Sequence, residues 1–151
     1  IYVRIARLHN VFGPESEWTG GREKAPAALC RKVLESSGTV DVWGPGTQTR
    51  SFLYIDECIE GIHRLMASDY TEPINIGSAR MISINALTQL IAELAGREIS
   101  IDNIPGPLGV MGRTSDNSLI KSVLGWEPPD NLESGLKKTL EWIDVQRRGQ
   151  T

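Results

Sequence analysis

Apolar residues recur along this chain in two rhythms, and the switches between them divide it into short strands and longer helices. Tyr2 to Leu8 carries Val3, Ile5, Ala6 and Leu8, a run that reads as a strand buried on both faces. Residues 11–22 hold Gly13, Pro14, Ser16, Gly20 and Gly21 and read as a loop. Pro26 suits the first turn of a helix, where its missing N–H is not needed, and Ala28, Leu29, Cys30, Val33 and Leu34 follow at helical spacing. Val40 to Trp43 and Ser51 to Tyr54 read as short strands on either side of the turn Gly44-Pro45-Gly46. Asp56 is placed to cap a helix whose stripe is Cys58, Ile59, Ile62, Leu65 and Met66. Pro73 to Ile76 is a further short strand, closed by Gly77. Ser83 can cap a helix through Leu87, Leu90, Ile91 and Leu94, which Gly96 stops. Ile99 to Ile104 is strand-like, Pro105 to Gly112 is a turn-rich loop, and helices follow from Asp116 to Leu124 and from Leu132 to Val145. Strands alternating with helices, without an internal repeat, predict the α/β class.

Composition narrows the picture a little. At 151 residues, with 40% hydrophobic and 23% charged residues, the chain is sized for one domain with one core. A net charge of -3 argues against a nucleic-acid surface, which needs a basic face. No run approaches the roughly 18 apolar residues of a spanning helix, and Ile1-Tyr2-Val3-Arg4 lacks the organisation of a signal peptide, so no membrane is expected as a partner. Cys30 and Cys58 both sit inside apolar helical patterns, which predicts free buried thiols and fits a cytoplasmic setting. Neither belongs to a Cys/His cluster at metal spacing, and no metal is expected.

The candidate chemistry lies in three short stretches: Arg22-Glu23-Lys24-Ala25-Pro26, Gln48-Thr49-Arg50 and Gly112-Arg113. They set cations on loops beside helix starts, where planar guanidinium forks and backbone N–H groups meet phosphate oxygens well. A lysine among them is suited to acid–base work. Solvated surface side chains are the bland alternative for each. From the residues alone the reading is an anion-binding α/β lobe. Two features are missing from the 151 residues: a glycine-rich turn after a first strand, and a Tyr followed four residues on by Lys. The chain therefore reads as the back half of an enzyme.

A resemblance sharpens this. Arg4…Asn10-Val11-Phe12-Gly13-Pro14, and Arg50-Ser51-Phe52-Leu53-Tyr54-Ile55-Asp56 followed by Gly61, resemble two motifs of the extended short-chain dehydrogenase/reductases, the NAD-dependent nucleotide-sugar epimerases and dehydratases. The stretch from Trp18 to Ala28 is similar to the 3,5-epimerase branch of that family. So are Asn75-Ile76-Gly77-Ser78, Ile104-Pro105-Gly106-Pro107 and Gly112-Arg113-Thr114-Ser115-Asp116-Asn117, and the similarity runs in register from Arg4 to Trp142.

The resemblance implies a C-terminal substrate-binding lobe of a Rossmann-type enzyme whose cofactor domain is absent from the 151 residues. Residues 1–151 would form a single region, with 1–10 a strand belonging to the missing sheet. In such enzymes NAD oxidises the sugar C4 hydroxyl to a ketone, which acidifies the hydrogens at C3 and C5. A base and an acid on opposite faces then invert each centre before C4 is reduced again. The resemblance makes Lys24 one of that pair, with an implied cysteine partner outside this chain. It assigns the diphosphate to Arg50 and Arg113, a hydrogen bond with the sugar diphosphate to Asn10, and further substrate contacts to Glu23, Ala25, Lys32, Gln48 and Thr49. The four tryptophans read as packing residues, Trp18 in the loop being the one to consider for a nucleotide contact. NAD is implied for the parent protein and none for this chain alone, which is expected to be inactive by itself. Its partners would be a nucleoside diphosphate sugar and, through the N-terminal strand, a second copy. A sugar-nucleotide 4-epimerase or dehydratase, a binding module without chemistry and a ligand-free scaffold are the competing readings.

Overall fold

A computed structural model describes residues 1–107 and 109–149. In chain order the elements are β1 (Ala6–Leu8), β2 (Val11–Phe12), α1 (Ala25–Glu35), β3 (Thr39–Trp43), β4 (Thr49–Arg50), β5 (Leu53–Tyr54) and α2 (Ile55–Ala67). Then follow β6 (Ile74–Ile76), β7 (Ile82–Ser83), α3 (Ile84–Leu94), β8 (Ser100–Ile104), β9 (Gly112–Arg113), α4 (Ser118–Leu124) and α5 (Leu132–Gly149). The class is α/β, as the alternation predicts.

The apolar stripes close into two clusters. Leu29, Cys30 and Val33 of α1, Leu87 and Ile91 of α3, and Leu136, Leu140 and Ile143 of α5 meet in the larger one, which Val40 and Val42 of β3 complete. Leu53, Cys58, Leu65, Ile74, Ile76 and Ile120 form the smaller. The segment Phe52 to Tyr54, leading into β5, belongs to both: successive side chains point to opposite sides, so Leu53 enters the smaller cluster while Phe52 and Tyr54 enter the larger. Both cysteines are free and buried, as expected, and burial pushes the Cys30 thiol up to about 12.

Short strand pairs organise the rest. β1 runs parallel to β6, β2 to β5 and β3 to β8, while β4 lies between parallel β9 and antiparallel β7. Ser83 caps α3 as predicted, its hydroxyl accepting from the Ala86 N–H at 3.1 Å.

Several expectations need correction. Strand β1 is three residues long rather than seven, and Ile1, Tyr2, Val3, Ile5 and Leu8 are exposed, so it is not buried on both faces. One of its edges is paired, Ala6 with Ile74 and Leu8 with Ile76. The predicted strand Ser51 to Tyr54 is broken because the chain changes partner there. The Ser51 N–H donates to the Arg113 carbonyl at 3.1 Å, whereas the Leu53 N–H donates to that of Asn10 at 3.2 Å. Asp56 does not cap α2. Tyr54 holds the N-cap position, and exposed Asp56 lies in the first turn, where its charge complements the helix dipole. Asp116 stays outside α4: its Oδ1 accepts from the Ser118 N–H at 2.9 Å, forming an Asx turn before a helix that opens after Asn117. Helix α5 continues past Val145 to Gly149. The two-residue strands β2, β7 and β9 are too short to leave a period in the sequence. Among the described residues no helix is long and apolar enough to cross a membrane.

Candidate functional site

Between α1, β3, β4 and the loop after β8 lies an open cavity of about 570 Å³. Its wall includes Asn10, Glu23, Lys24, Ala25, Lys32, Gln48 and Arg50, seven of the nine residues singled out from the sequence. Thr49 and Arg113 are not on that wall, but strand pairing sets them beside it. Thr49 lies opposite Gly112, and Arg113 is the register partner of Arg50.

Each of these side chains is placed by local structure. Asn10 follows β1 with φ 44°, a left-handed conformation that Asn tolerates better than most residues, and its Nδ2 donates to the Ser51 carbonyl at 2.8 Å. Lys24 holds the N-cap position of α1, with extended backbone before a Pro-initiated helix. Lys32 stands on the cavity face of α1, two turns on. Gln48 is buried; its Nε2 donates to the Trp43 carbonyl at 3.0 Å, and its own carbonyl accepts from Ile84 N–H at 3.1 Å. Those bonds fix the turn that delivers Thr49 and Arg50 to the sheet.

The electrostatics single out three cations. The Lys24 Nζ donates to the Val11 carbonyl at 3.2 Å, Lys32 Nζ to that of Asp41 at 2.7 Å, and Arg50 Nη1 to that of Thr49 at 2.7 Å. None of the three forms an ion pair with a carboxylate among the described residues. Arg31, also on the wall, is committed: it bridges Glu23 at 3.1 Å and Glu35 at 2.9 Å. The Glu23 carboxyl is held below its ordinary value, first by its own backbone N–H and then by Arg31 and Gly21, against the opposing effect of burial. Unpaired positive charge on a concave wall is an arrangement for an anion. Lys24 also faces a second cavity of about 230 Å³, lined by Val11, Phe12, Ser16, Glu17 and Arg22.

Of the tryptophans, the one considered from the sequence for a nucleotide contact does not line this cavity. Trp18 packs against the larger core, and its carbonyl accepts from Arg31. The tryptophan on the cavity wall is Trp43, 54% exposed, with the Lys32 ammonium 5.9 Å from its ring centroid. Its place was readable: strict alternation in β3 turns Val40 and Val42 inward and therefore Asp41 and Trp43 outward. Arg31, Phe52, Ile84 and Pro107 also line the cavity. They carry no local signal beyond helical phase or apolar character.

Parallel strand pairs joined by helices, with cations gathered at strand ends, form an α/β frame able to hold an anion. The chain belongs to the NAD dependent epimerase/dehydratase family, whose model matches residues 1–77. It is 53% identical over 146 residues to GDP-mannose 3,5-epimerase 1 of Oryza sativa subsp. indica, covering 97% of this chain and 39% of that protein. To the GDP-mannose 3,5-epimerase of Arabidopsis thaliana it is 51% identical, with the same coverage of 97% and 39%. Among solved structures it resembles UDP-glucose 4-epimerase from Thermotoga maritima, determined with UDP-glucose. That match has a TM-score of 0.85 at 28% identity and covers 95% of this chain and 46% of the other. The chain thus spans about two fifths of the length of these curated relatives. Its described residues include no glycine-rich strand-to-helix turn of the kind that receives a pyrophosphate.

Proposed function

We propose that this chain is the substrate-holding part of a nucleotide-sugar epimerase that inverts GDP-mannose at C3 and C5. The observation that carries the reading is the convergence of Lys24, Lys32 and Arg50, none with a carboxylate partner among the described residues, on one cavity wall beside Arg113. In this reading Arg50 and Arg113 hold the diphosphate, each adding charge-assisted hydrogen bonds of about 1.5–3 kcal/mol. Asn10 donates to a diphosphate oxygen. Gln48, Thr49, Lys32 and Ala25 shape the remaining contacts, and Trp43 offers an aromatic face to the nucleoside. Lys24 moves a proton at a ring carbon next to a carbonyl, where the C–H is acidic enough for an amine to take it. The family's NAD supplies hydride exchange at C4; no part of that exchange is assigned to these residues. The high identity to two GDP-mannose 3,5-epimerases favours that substrate over the UDP-sugars of the 4-epimerase branch.

Residues 1–151 serve in this reading as the C-terminal region of the parent, working in the cytoplasm, where buried free thiols persist. The open edge of β1, with Val3, Ile5 and Leu8 exposed beside it, accepts a further strand. The rest of the parent protein provides it, and a second copy does so when the chain is isolated. Calorimetric titration of the full-length protein tests the substrate assignment. GDP-mannose is expected to bind at least about tenfold more tightly than UDP-glucose, a gap of about 1.4 kcal/mol. Equal affinities, or a preference for UDP-glucose, would return the chain to the 4-epimerase alternative.

A further inference from the structure

Of the cations on the cavity wall, Arg31 is the one that forms ion pairs with carboxylates among the described residues, bridging Glu23 and Glu35. Its Nε donates to the Trp18 carbonyl at 3.1 Å, its Nη2 to Glu23 Oε1 at 3.1 Å, and its Nη1 to Glu35 at 2.9 Å. The other Glu23 oxygen accepts from the Gly21 N–H at 2.7 Å. Two of these bonds therefore reach from the middle of α1 back onto the segment 18–23, at Trp18 and at Glu23. That segment needs holding. Gly20 and Gly21 have φ 91° and 85°, and a Cβ added at either would meet nothing within 4 Å, so neighbouring side chains do not confine the turn. The residue it delivers is Lys24, the next after Glu23, whose position on the cavity wall decides where its ammonium can act.

We infer that Arg31 is a positioning residue for Lys24: its guanidinium fork clamps the Trp18 carbonyl and the Glu23 carboxylate, fixing the glycine turn and the lysine that follows. A planar fork can hold a carbonyl and a carboxylate together, which the point charge of a lysine cannot do in the same geometry. Glu23 is accordingly the latch of this clamp. Both its oxygens are occupied by protein donors, which leaves the chemistry to Lys24. The inference rests on the reading of Lys24 as the acid–base residue.

The test uses the full-length protein with NAD and GDP-mannose in deuterium oxide. It follows deuterium entry at C3 and C5 by mass spectrometry, and GDP-mannose affinity by calorimetry. Arg31→Ala is expected to lower the exchange rate about 30–100-fold, the scale of a misplacement near 1 Å, with the dissociation constant moving less than about threefold. Arg31→Lys should recover part of the rate. Glu35→Ala, which removes the partner of Arg31 that lies away from the glycine turn, should leave both quantities at wild-type values. Should Arg31→Ala fail to fold, Arg31→Lys decides alone, by a fall in rate at unchanged affinity. Wild-type rates in Arg31→Ala, a loss in Glu35→Ala equal to that in Arg31→Ala, or rate and affinity falling together would overturn the clamp. Absence of exchange in the wild-type protein would instead defeat the reading of the reaction.

Discussion

Arg50 and Arg113 are register partners on adjacent parallel strands, so their side chains leave the same face of β4 and β9 one strand spacing apart. They are separated by 63 positions in sequence, and only the β4–β9 pairing joins them. Two neighbouring guanidinium groups repel each other until an anion lies between them, which is the physical basis for proposing this pair as the holder of a diphosphate.

Replacing either arginine by alanine should weaken GDP-mannose binding to the full-length protein by about 10–100-fold, the equivalent of one or two charge-assisted hydrogen bonds. Lys121→Ala, which removes a surface lysine paired with Glu127 at 2.6 Å, should leave it unchanged. Calorimetry distinguishes the two. Equal losses at all three positions would mean that general positive charge binds the ligand and that no built site exists.

Gly135 sets the approach of α5 to β5. A Cβ there would fall 2.6 Å from Tyr54 Cδ2 and 3.0 Å from Tyr54 Cβ, and Tyr54 is held between Phe12 and Gly135 within the larger core. Gly135→Ala is therefore expected to destabilise the fold by about 1–3 kcal/mol, despite the better helix propensity of alanine. Urea denaturation reads this as a lower midpoint at unchanged slope. An unchanged or higher midpoint would show that the helix shifts freely, and that this contact does not set its position.

Glu57 is buried at the start of α2, its Oε1 without a hydrogen-bond partner among the described residues, and burial raises its pKa above the ordinary carboxylate value against opposing hydrogen bonds from Asn131 and the Tyr54 backbone. A raised carboxyl pKa means that the folded state binds a proton more readily than the unfolded one. Stability from this residue is thus present at low pH and is lost as pH rises from the unfolded value, about 4.5, through the folded one. Glu57→Gln should melt at a higher temperature than wild type at pH 7, and the gain should shrink as the pH approaches 4. A gain that stays constant across that range would assign the effect to packing.

How much of this was legible in the sequence differs between elements. The helices were, because Leu87, Ile91 and their like repeat over three turns and Ser83 and Gly96 mark the ends of α3. The seven wall residues were legible through motif resemblance, whose spacing carries tertiary information that periodicity does not. The pairing of Arg50 with Arg113 was not, because a two-residue strand leaves no period and its partner is distant. The N-terminal strand misled for a related reason. Val3, Ile5 and Ala6 look like a doubly buried strand, yet among the described residues β6 alone pairs beside them and their apolar side chains remain exposed. Trp43 was missed although its alternation with Val42 was plain, since outward-facing aromatic residues do not announce a cavity.

The most direct test of the central claim is the fate of the sugar hydrogens in deuterium oxide when the full-length protein, with NAD, carries either Lys24 or Lys24→Met. The wild-type protein should place deuterium at both C3 and C5 of GDP-mannose. Lys24→Met should bind the same nucleotide sugar within about threefold of wild type, yet lose at least about 100-fold in exchange rate, the upper part of what general acid–base catalysis contributes. Exchange at C3 and C5 that continues at the wild-type rate in Lys24→Met would contradict the account, as would a wild-type protein that inverts only C4 and takes up no deuterium at C3 or C5.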